Sequence, residues 1–309
     1  MDLNTVSRRA VMGLFGNSTM TRLVTRFGMS LGADRFVAGE DVEAALETVR
    51  ELNDENLLAT LDHLGESVTD ESLAREAAAV YVDLLDKVRE SGVQSTVSLK
   101  PTQMGLAVDP SLAEENIRLI LDRARETGNS ACIDMEDSPT VDATLEIWER
   151  LVQDYGPDRV EMVLQAYLYR SMEDAERVAA GGARVRLCKG AYAEPASVAF
   201  PRKRDVDDNF LKLIKICLTR GSFTAIATHD ERIIARAIDM IKKENIDPEL
   251  YEFQMLYGIR PMLQRDLARE GYQVRIYVPY GREWYPFFVR RLAERPANVL
   301  FVLSNLLKR

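Results

Sequence analysis

Two adjacent arginines, Arg290 and Arg291, lie near the end of the chain in the segment EWYPFFVRRLAE (283–294). Pro286 falls in the first turn of this segment, where a missing N–H costs little, so we expect a helix. Neighbouring arginines point about 100° apart on a helix, yet their long side chains can converge on one small anion. Paired guanidinium groups suit a carboxylate. The alternative is a solvated helix face on which Glu294, four residues after Arg290, pairs with it.

Further polar side chains follow short apolar runs that are spread along the chain. If these runs are parallel strands of one barrel, their carboxyl ends meet at one face and form a site. The alternative is that half of these residues face water, as strand ends often do. The residues are Asp62, Glu66, Lys100, Asp134, Glu136, Gln165, Arg186, Lys189, Thr228, His229, Gln254, Tyr277 and Tyr280.

The types of residue present argue against several classes of enzyme. The chain has two histidines, His63 and His229, and no H-x-H or H-E-x-x-H motif. A metal-dependent hydrolase would need more ligands than these, so no metal is expected. No G-x-S-x-G motif is present, which argues against a serine hydrolase. Lys100 or Lys189 could form a Schiff base, as in aldolases, and this alternative stays open.

Eight short apolar runs rich in β-branched residues read as strands that alternate with helices. The runs are LLATLD (57–62), STVSLK (95–100), SACIDME (130–136), EMVLQAYL (161–168), ARVRLCK (183–189), FTAIATHD (223–230), YEFQML (251–256) and QVRIYV (273–278). An acidic amphipathic helix is expected over 42–52. Further helices are expected over 71–90, 113–127, 141–155 and 231–244.

Eight strands alternating with helices predict an α/β fold, a (β/α)8 barrel, because eight is the number of strands that closes it. A doubly wound open sheet is the alternative, although no G-x-G-x-x-G follows the first strand. No linker or low-complexity tract divides the chain. We therefore expect an N-terminal helical arm over 1–53 and one catalytic barrel domain over 54–309.

Charge and cysteine content exclude several classes of protein. The net charge of −9 argues against a nucleic-acid partner, and no apolar run is long enough for a membrane helix. Residues 1–36 carry five Arg and two Asp, as in a transit peptide or in a helical arm that packs through Met20, Leu23, Val24 and Phe27. The three cysteines form no C-x-x-C pair, which favours a reducing, cytoplasmic environment.

The chain resembles the single-function proline dehydrogenases from about residue 45 to its end. Nine segments occur in the family's order, which makes the resemblance specific. They are LLATLDHLGE, SLKPTQMGL, IDMED, VLQAYL, RVRLCKGAY, ATHDE, EFQMLYGIRP, RIYVPYG and RRLAE. The resemblance implies a distorted (β/α)8 barrel that holds FAD non-covalently near the strand ends. It also implies that the last helix lies across the barrel mouth, which favours a functional role for its two arginines.

The resemblance also assigns roles to individual residues. Lys100, Arg290 and Arg291 are expected to bind the substrate carboxylate, and Tyr192, Leu256 and Tyr277 to flank its ring. Tyr277 matches the aromatic position that favours proline over its hydroxylated relative. Flavin contacts are expected from Met135, Gln165, Arg186, Lys189, Gly190, Ala191, Thr228 and His229. Among these, Lys189, Gly190 and Ala191 would lie at the pyrophosphate, a sound use of positive charge and glycine.

Three features are less fixed by the resemblance. The family's last helix usually reads Tyr-x-x-Arg-Arg-x-x-Glu, and here Phe287 stands first, so one pocket hydroxyl is missing. Asp134 is expected to orient Lys100 or Arg186 through charge-assisted hydrogen bonds, and Arg186 to stabilise charge on the reduced flavin. Glu66 is expected to pair with an arginine at the barrel mouth.

The implied reaction is hydride transfer from C5 of L-proline to FAD, giving Δ1-pyrroline-5-carboxylate. In the family the electrons pass to a membrane quinone, which implies a cytoplasmic protein with peripheral contact at the inner face of a membrane. The Arg-rich arm would supply that contact. Two other classes stay open: a Schiff-base lyase or aldolase that uses Lys100 or Lys189, and a barrel that only binds a ligand. The sequence gives no oligomeric state.

Overall fold

The eight apolar runs form eight parallel strands that close into a barrel, as predicted, within residues 33–294 that the computed structural model describes. Each strand pairs in parallel with the next one along the chain, and β8 pairs with β1 to close the ring. The strands are β1 (Leu58–His63), β2 (Ser95–Leu99), β3 (Ala131–Ile133), β4 (Val160–Gln165), β5 (Val185–Cys188), β6 (Thr224–Ala227), β7 (Tyr251–Leu256) and β8 (Val274–Tyr280).

Helices alternate with these strands and enclose the barrel. They are α1 (Val42–Asp54), α2 (Glu71–Ser91), α3 (Pro110–Glu126), α4 (Val141–Tyr155), α5 (Ser171–Ala180), α6 (Lys203–Thr219), α7 (Glu231–Glu244), α8 (Pro261–Arg269) and α9 (Trp284–Glu294). Several begin at an aspartate that satisfies free backbone donors of the first turn. Asp41, Asp70 and Asp109 each accept a hydrogen bond from a backbone N–H two or three residues later.

Inward and outward side chains alternate along each strand, and the inward positions carry buried polar residues such as Asp62, Glu252 and Gln254. The outward side chains pack against the helices and form the apolar core, with Leu61, Leu99 and Phe253 fully buried. Inside the barrel, Arg275 donates to Glu252 at 2.7 Å and Gln254 donates to the same carboxylate at 2.6 Å. Buried charges need such partners to offset the loss of water.

The last helix, α9, lies over the carboxyl ends of the strands, as predicted. Its apolar face, with Trp284 and Phe288 fully buried, packs against Leu64, which follows β1, and against Leu256 and Ile259 around the end of β7. A helix in this place shields the strand ends from water. It also brings its arginines to the barrel mouth.

The chain just before α1 fastens this cap. The N–H of Ala38 donates to the carbonyl of Pro279 at 2.8 Å, and that of Gly281 donates to the carbonyl of Gly39 at 3.0 Å. Phe36 packs against Phe288 of α9 with ring centroids 6.3 Å apart. Residues 33–39 are therefore bound to the end of the barrel strand that leads into the cap.

The predicted helical arm stays a prediction where it depends on Met20, Leu23, Val24 and Phe27, which lie outside the described residues, as do 295–309. Helix α1 contributes Ala45 and Val49 to the main apolar core. Among residues 33–294, no helix is long and apolar enough to cross a membrane.

Candidate active site

Lys100 and Asp62 form a buried ion pair where β2 and β1 end. The ammonium lies 2.9 Å from Oδ2 and 3.1 Å from Oδ1 of Asp62, and Lys100 is only 6% exposed. Burial lowers the pKa of Lys100, but the carboxylates of Asp62 and Asp134 raise it by more than burial lowers it. The pKa therefore lies above its ordinary value. Lys100 is therefore held as a cation.

Asp134 follows β3 and connects three other elements. Its Oδ2 accepts a hydrogen bond of 2.8 Å from the hydroxyl of Tyr277 on β8. Its Oδ1 accepts one of 2.9 Å from Arg186 on β5, and Lys100 lies 3.7 Å from Oδ2. The charge-assisted hydrogen bond through which Asp134 was expected to orient Arg186 is therefore present, and the orienting role stays a prediction.

Ser98 completes this network, although the sequence did not single it out. Its hydroxyl donates to Oδ1 of Asp134 at 2.8 Å and accepts from Arg186 at 2.9 Å. Ser98 of β2 lies two residues before Lys100, which directly follows the strand. The two-residue period of a strand therefore places both side chains on the inner face. This alternation was the feature of the sequence that could have identified Ser98 as a site residue. Behind it, the buried hydroxyl of Tyr81 donates to the carbonyl of Ser98 at 2.7 Å.

Arg290 reaches the mouth from α9 and pairs with Glu66, which follows β1. The N–O distance is 2.6 Å, so the expected pairing of Glu66 with an arginine at the mouth is present. The guanidinium lies 6.0 Å from the ring centroid of Tyr192, which follows β5. Burial lowers the pKa of Arg290, but Glu66 and Asp62 help to raise it by more, so the pKa lies above its ordinary value. Arg290 and Lys100 therefore lie near a common carboxylate, Asp62. The side chain of Glu294, the other predicted partner of Arg290, lies outside the description.

Arg291 is buried beside Phe287, the residue that departs from the family motif. Its guanidinium lies 5.2 Å from the centroid of the Phe287 ring, a cation–π contact that needs no hydroxyl. Phe287 itself packs in the apolar cluster beneath α9. Burial raises the pKa of Cys188, at the end of β5, to about 11, while Arg186 and Arg291 lower it. Arg291 is thus close enough to β5 to act on a side chain in the barrel.

Gln165 and Arg186 offer buried polar atoms to the barrel mouth. The amide nitrogen of Gln165 donates to the carbonyl of Met135 at 3.1 Å. Among the described residues, Oε1 of Gln165 and one terminal nitrogen of Arg186 have no hydrogen-bond partner, while Nε of Arg186 lies 3.8 Å from the carboxylate of Glu161. Buried polar atoms are seldom left without partners, so these atoms fit a polar ligand. The Met135 side chain is buried beside them.

Lys189, expected at a pyrophosphate, belongs to an ion-pair cluster with two aspartates. Its ammonium lies 2.6 Å from Asp207 and 3.0 Å from Asp230, and Lys203 pairs with the same two carboxylates. A cavity of about 610 Å³ opens beside this cluster. Its lining includes four cationic residues and three aspartates: Lys203, Arg204, Arg232, Arg236, Asp207, Asp208 and Asp230.

The remaining predicted flavin contacts follow β5 and β6. Thr228 is buried, and its hydroxyl accepts from the N–H of Asp230 at 3.2 Å. His229 accepts a hydrogen bond of 2.9 Å from the N–H of Leu256 through Nε2, which connects the ends of β6 and β7. Gly190 has φ +105°, and a side chain there would meet the Tyr167 ring at 2.3 Å, so only glycine fits. Ala191 follows in the same partly exposed loop.

A parallel (β/α)8 barrel with charged side chains at the carboxyl ends of its strands is the architecture of a barrel enzyme. The proline dehydrogenase family model matches residues 45–304. The chain is 43% identical to proline dehydrogenase 1 of Bacillus subtilis over 302 residues, 98% of this chain and 99% of the relative. It is 41% identical to proline dehydrogenase of Deinococcus radiodurans over 304 residues, 97% of this chain and 98% of the relative. The chain belongs to the proline dehydrogenase family, and the prediction of an enzyme of this family is confirmed.

A solved structure shares the fold. The crystal structure of proline utilization A (PutA) from Bdellovibrio bacteriovorus inactivated by N-propargylglycine superposes with a TM-score of 0.80 at 24% identity. The match covers 85% of this chain and 32% of that one, so this chain spans about a third of that protein's length. The predicted (β/α)8 barrel is confirmed both by this likeness and by the closed ring of strands.

Proposed function

We propose that this protein holds FAD at its barrel mouth and oxidises L-proline to Δ1-pyrroline-5-carboxylate. The observation that carries the proposal is the convergence of buried cations on one face of the barrel. Lys100 and Arg186 come from strand ends, and Arg290 and Arg291 come from the capping helix. Lys100, Arg186 and Arg290 pair with Asp62, Asp134 and Glu66, and the guanidinium groups keep further N–H donors that suit a small carboxylate ligand.

The chain's own residues divide the work of holding the substrate. Lys100, Arg290 and Arg291 bind the carboxylate. Tyr192, Leu256 and Tyr277 flank the five-membered ring. Burial holds the pKa of Tyr277 well above its ordinary value, so its hydroxyl stays protonated and continues to donate to Asp134. Fixing the ring beside the acceptor is the main source of rate, because it replaces a bimolecular encounter by a positioned one.

Residues around β4 to β6 fit a flavin. Oε1 of Gln165, which has no hydrogen-bond partner among the described residues, suits an N–H of the ring edge, and the terminal nitrogen of Arg186 that likewise has none suits an acceptor atom of the ring. Met135, Thr228 and His229 would line the site, while Lys189, Gly190 and Ala191 would hold the pyrophosphate. When bound, FAD supplies the two-electron acceptor that the oxidation needs. Arg186, held by Asp134 and Ser98, would stabilise the negative charge that develops there.

A visible spectrum of the purified protein tests this function. We expect flavin absorption bands that bleach when L-proline is added without oxygen, and that persist with D-proline as the control. A borohydride-trapped lysine adduct in a colourless protein would instead support the Schiff-base lyase. A colourless protein that binds L-proline without any reaction would support a binding module.

The electron acceptor is a second part of the proposal: a membrane quinone. The reduced protein should be reoxidised much faster by a short-chain quinone than by dioxygen. The five arginines of residues 1–36 would hold the protein at an anionic lipid surface. Vesicles with anionic lipid should then retain the full chain, and the changes Arg8→Gln, Arg9→Gln and Arg22→Gln together should release it. Equal retention of both proteins would remove the role of the arm.

A further inference from the structure

The loop that carries Glu66 has an unusual backbone and is held by a neighbouring loop. Ser67, the next residue, has φ +57°, a left-handed conformation that costs a serine free energy. Such a conformation persists where the surroundings determine it. The N–H of Ser67 donates to the hydroxyl of Thr102 at 2.8 Å, and the N–H of Val68 donates to the carbonyl of Thr102 at 3.1 Å.

Glu136, which follows β3, fixes Thr102 in turn. Its two oxygens accept from the N–H of Thr102 at 2.8 Å and from its hydroxyl at 2.6 Å, and Glu136 is 3% exposed. Because the single hydroxyl proton of Thr102 goes to Glu136, a lone pair is left to accept the N–H of Ser67. The chain of hydrogen bonds thus has one direction, from Ser67 through Thr102 to Glu136.

A second contact fixes the other side of Glu66. The side-chain amide of Gln103 donates to the carbonyl of His63 at 3.0 Å. At Gly65, an added Cβ would lie 2.4 Å from the same amide nitrogen, so the two loops are in close contact. The backbone on both sides of Glu66 is therefore fixed by residues 102 and 103.

We propose that Thr102 and Glu136 are positioning residues for the Glu66–Arg290 ion pair, and that they set the place of Arg290 over the substrate site. Glu66 accepts from one terminal nitrogen of Arg290, which leaves the rest of the guanidinium for a carboxylate. If the loop loosens, Glu66 no longer holds the guanidinium beside Tyr192. The inference rests on the proposed function, because it treats Arg290 as a substrate contact.

Thr102→Val tests this inference, because it removes the hydroxyl and keeps the shape of the side chain. We expect KM for L-proline to rise roughly three- to tenfold with kcat nearly unchanged, as for the loss of about one hydrogen bond. Thr102→Ser keeps the hydroxyl and should restore KM. Thr144→Val is the matched control, because its buried hydroxyl has no hydrogen-bond partner among the described residues. Glu136→Gln should act in the same direction if Thr102→Val does not fold.

Coupling to Glu66 separates positioning from a general loss of stability. In a Glu66→Gln background, Thr102→Val should add little to KM, because the contact it supports is already weakened. An equal rise in both backgrounds, a fall in KM, or a fall in kcat at constant KM would overturn the proposal. So would a failure of Thr102→Ser to restore KM.

Hydrogen exchange gives a readout that does not depend on activity. The amide of Ser67 should exchange faster in Thr102→Val than in the wild type or in Thr102→Ser. Unchanged exchange would overturn the proposal that Thr102 fixes the loop of Glu66, even in a fully active enzyme. Suppose instead that exchange is faster in Thr102→Val but the protein does not oxidise L-proline. The contact between the loops would then be supported, while the proposed function and the role given to Arg290 would be overturned.

Discussion

Tyr277 donates a hydrogen bond of 2.8 Å to Oδ2 of Asp134, which joins the last strand of the barrel to the end of the third. The other carboxylate oxygen accepts from Arg186 and from Ser98. The tyrosine hydroxyl also lies 3.5 Å from the ammonium of Lys100. One carboxylate therefore sets the relative positions of Tyr277, Arg186 and Lys100, to which the proposed function assigns contacts with the substrate ring, the flavin and the substrate carboxylate.

Tyr277→Phe should weaken this arrangement without removing the ring. Loss of one hydrogen bond to a charged acceptor, worth roughly 1.5–3 kcal/mol, should lower kcat/KM for L-proline by about 10- to 100-fold. Steady-state kinetics measure this effect, and the visible spectrum should show flavin content equal to that of the wild type. Tyr280→Phe is the control, since its buried hydroxyl has no hydrogen-bond partner among the described residues. If both variants lose activity equally, the bond to Asp134 has no special role.

Lys100→Met should destabilise the fold, because it leaves the fully buried Asp62 without its direct cationic partner. Removing one member of a buried ion pair typically costs about 3–5 kcal/mol. The pKa of Lys100 is raised, so the pair contributes fully below the ordinary lysine value of 10.5 and is lost only as pH rises through the folded value. Chemical denaturation should therefore give the same loss at about pH 6 and about pH 9.

The double variant Asp62→Asn, Lys100→Met should recover part of that loss. The same raised pKa bears on the Schiff-base alternative, which needs a neutral amine. We expect no borohydride-trapped adduct on Lys100 with a keto-acid substrate at neutral pH. Trapping of Lys100, or a stability loss that already shrinks at neutral pH, would contradict the charged state that the geometry indicates.

Asp230→Asn should destabilise the protein only where the carboxylate is ionised. Burial raises the pKa of Asp230, but Lys189 and Lys203 lower it more strongly, so its folded value lies well below the ordinary 3.8. A lowered pKa contributes stability above the ordinary value, and that stability is lost as pH falls through the folded value. We expect a loss of roughly 1–3 kcal/mol at neutral pH that shrinks below about pH 4, measured by denaturation. Asparagine caps α7 equally well, so a loss that does not change with pH would contradict the ion-pair explanation.

Much of the fold could be predicted because local periodicity determines it. Strand β7 and helices α4 and α7 have the bounds that the sequence predicted. Strand β3 is shorter than its apolar run, since it ends at Ile133 where the run continues to Glu136. Just beyond it, the N–H of Asp134 still donates to the carbonyl of Leu99 at 2.9 Å, while the side chains of Asp134 and Glu136 bind Arg186 and Thr102. The apolar pattern alone did not show where this strand ends.

The pairings within the site were harder to predict. Helical spacing suggested Glu294 as a partner of Arg290, and that pairing stays a prediction. The position of Glu66 suggested an arginine partner without saying which one, and the contact described is with Arg290, 224 residues away along the chain. Only the closed topology, with α9 over the end of β1, brings those two together. The aspartate partners of Lys189 come from α6 and from the start of α7 for the same reason. The contacts of Thr102 and Ser67 depend on loop geometry, which has no periodic signal.

Binding of the substrate carboxylate by Lys100, Arg290 and Arg291 is the central proposal, and removing the carboxylate from the substrate tests it most directly. The ratio of kcat/KM for L-proline to that for pyrrolidine should be measured in the wild type, in Arg291→Ala and in Arg282→Ala. Arg282, exposed just before α9, is the matched control. We expect Arg291→Ala to keep its flavin, to raise KM for L-proline sharply and to lower the ratio by about 10- to 100-fold, with Arg282→Ala unchanged. A ratio in Arg291→Ala equal to that of the wild type would contradict the account.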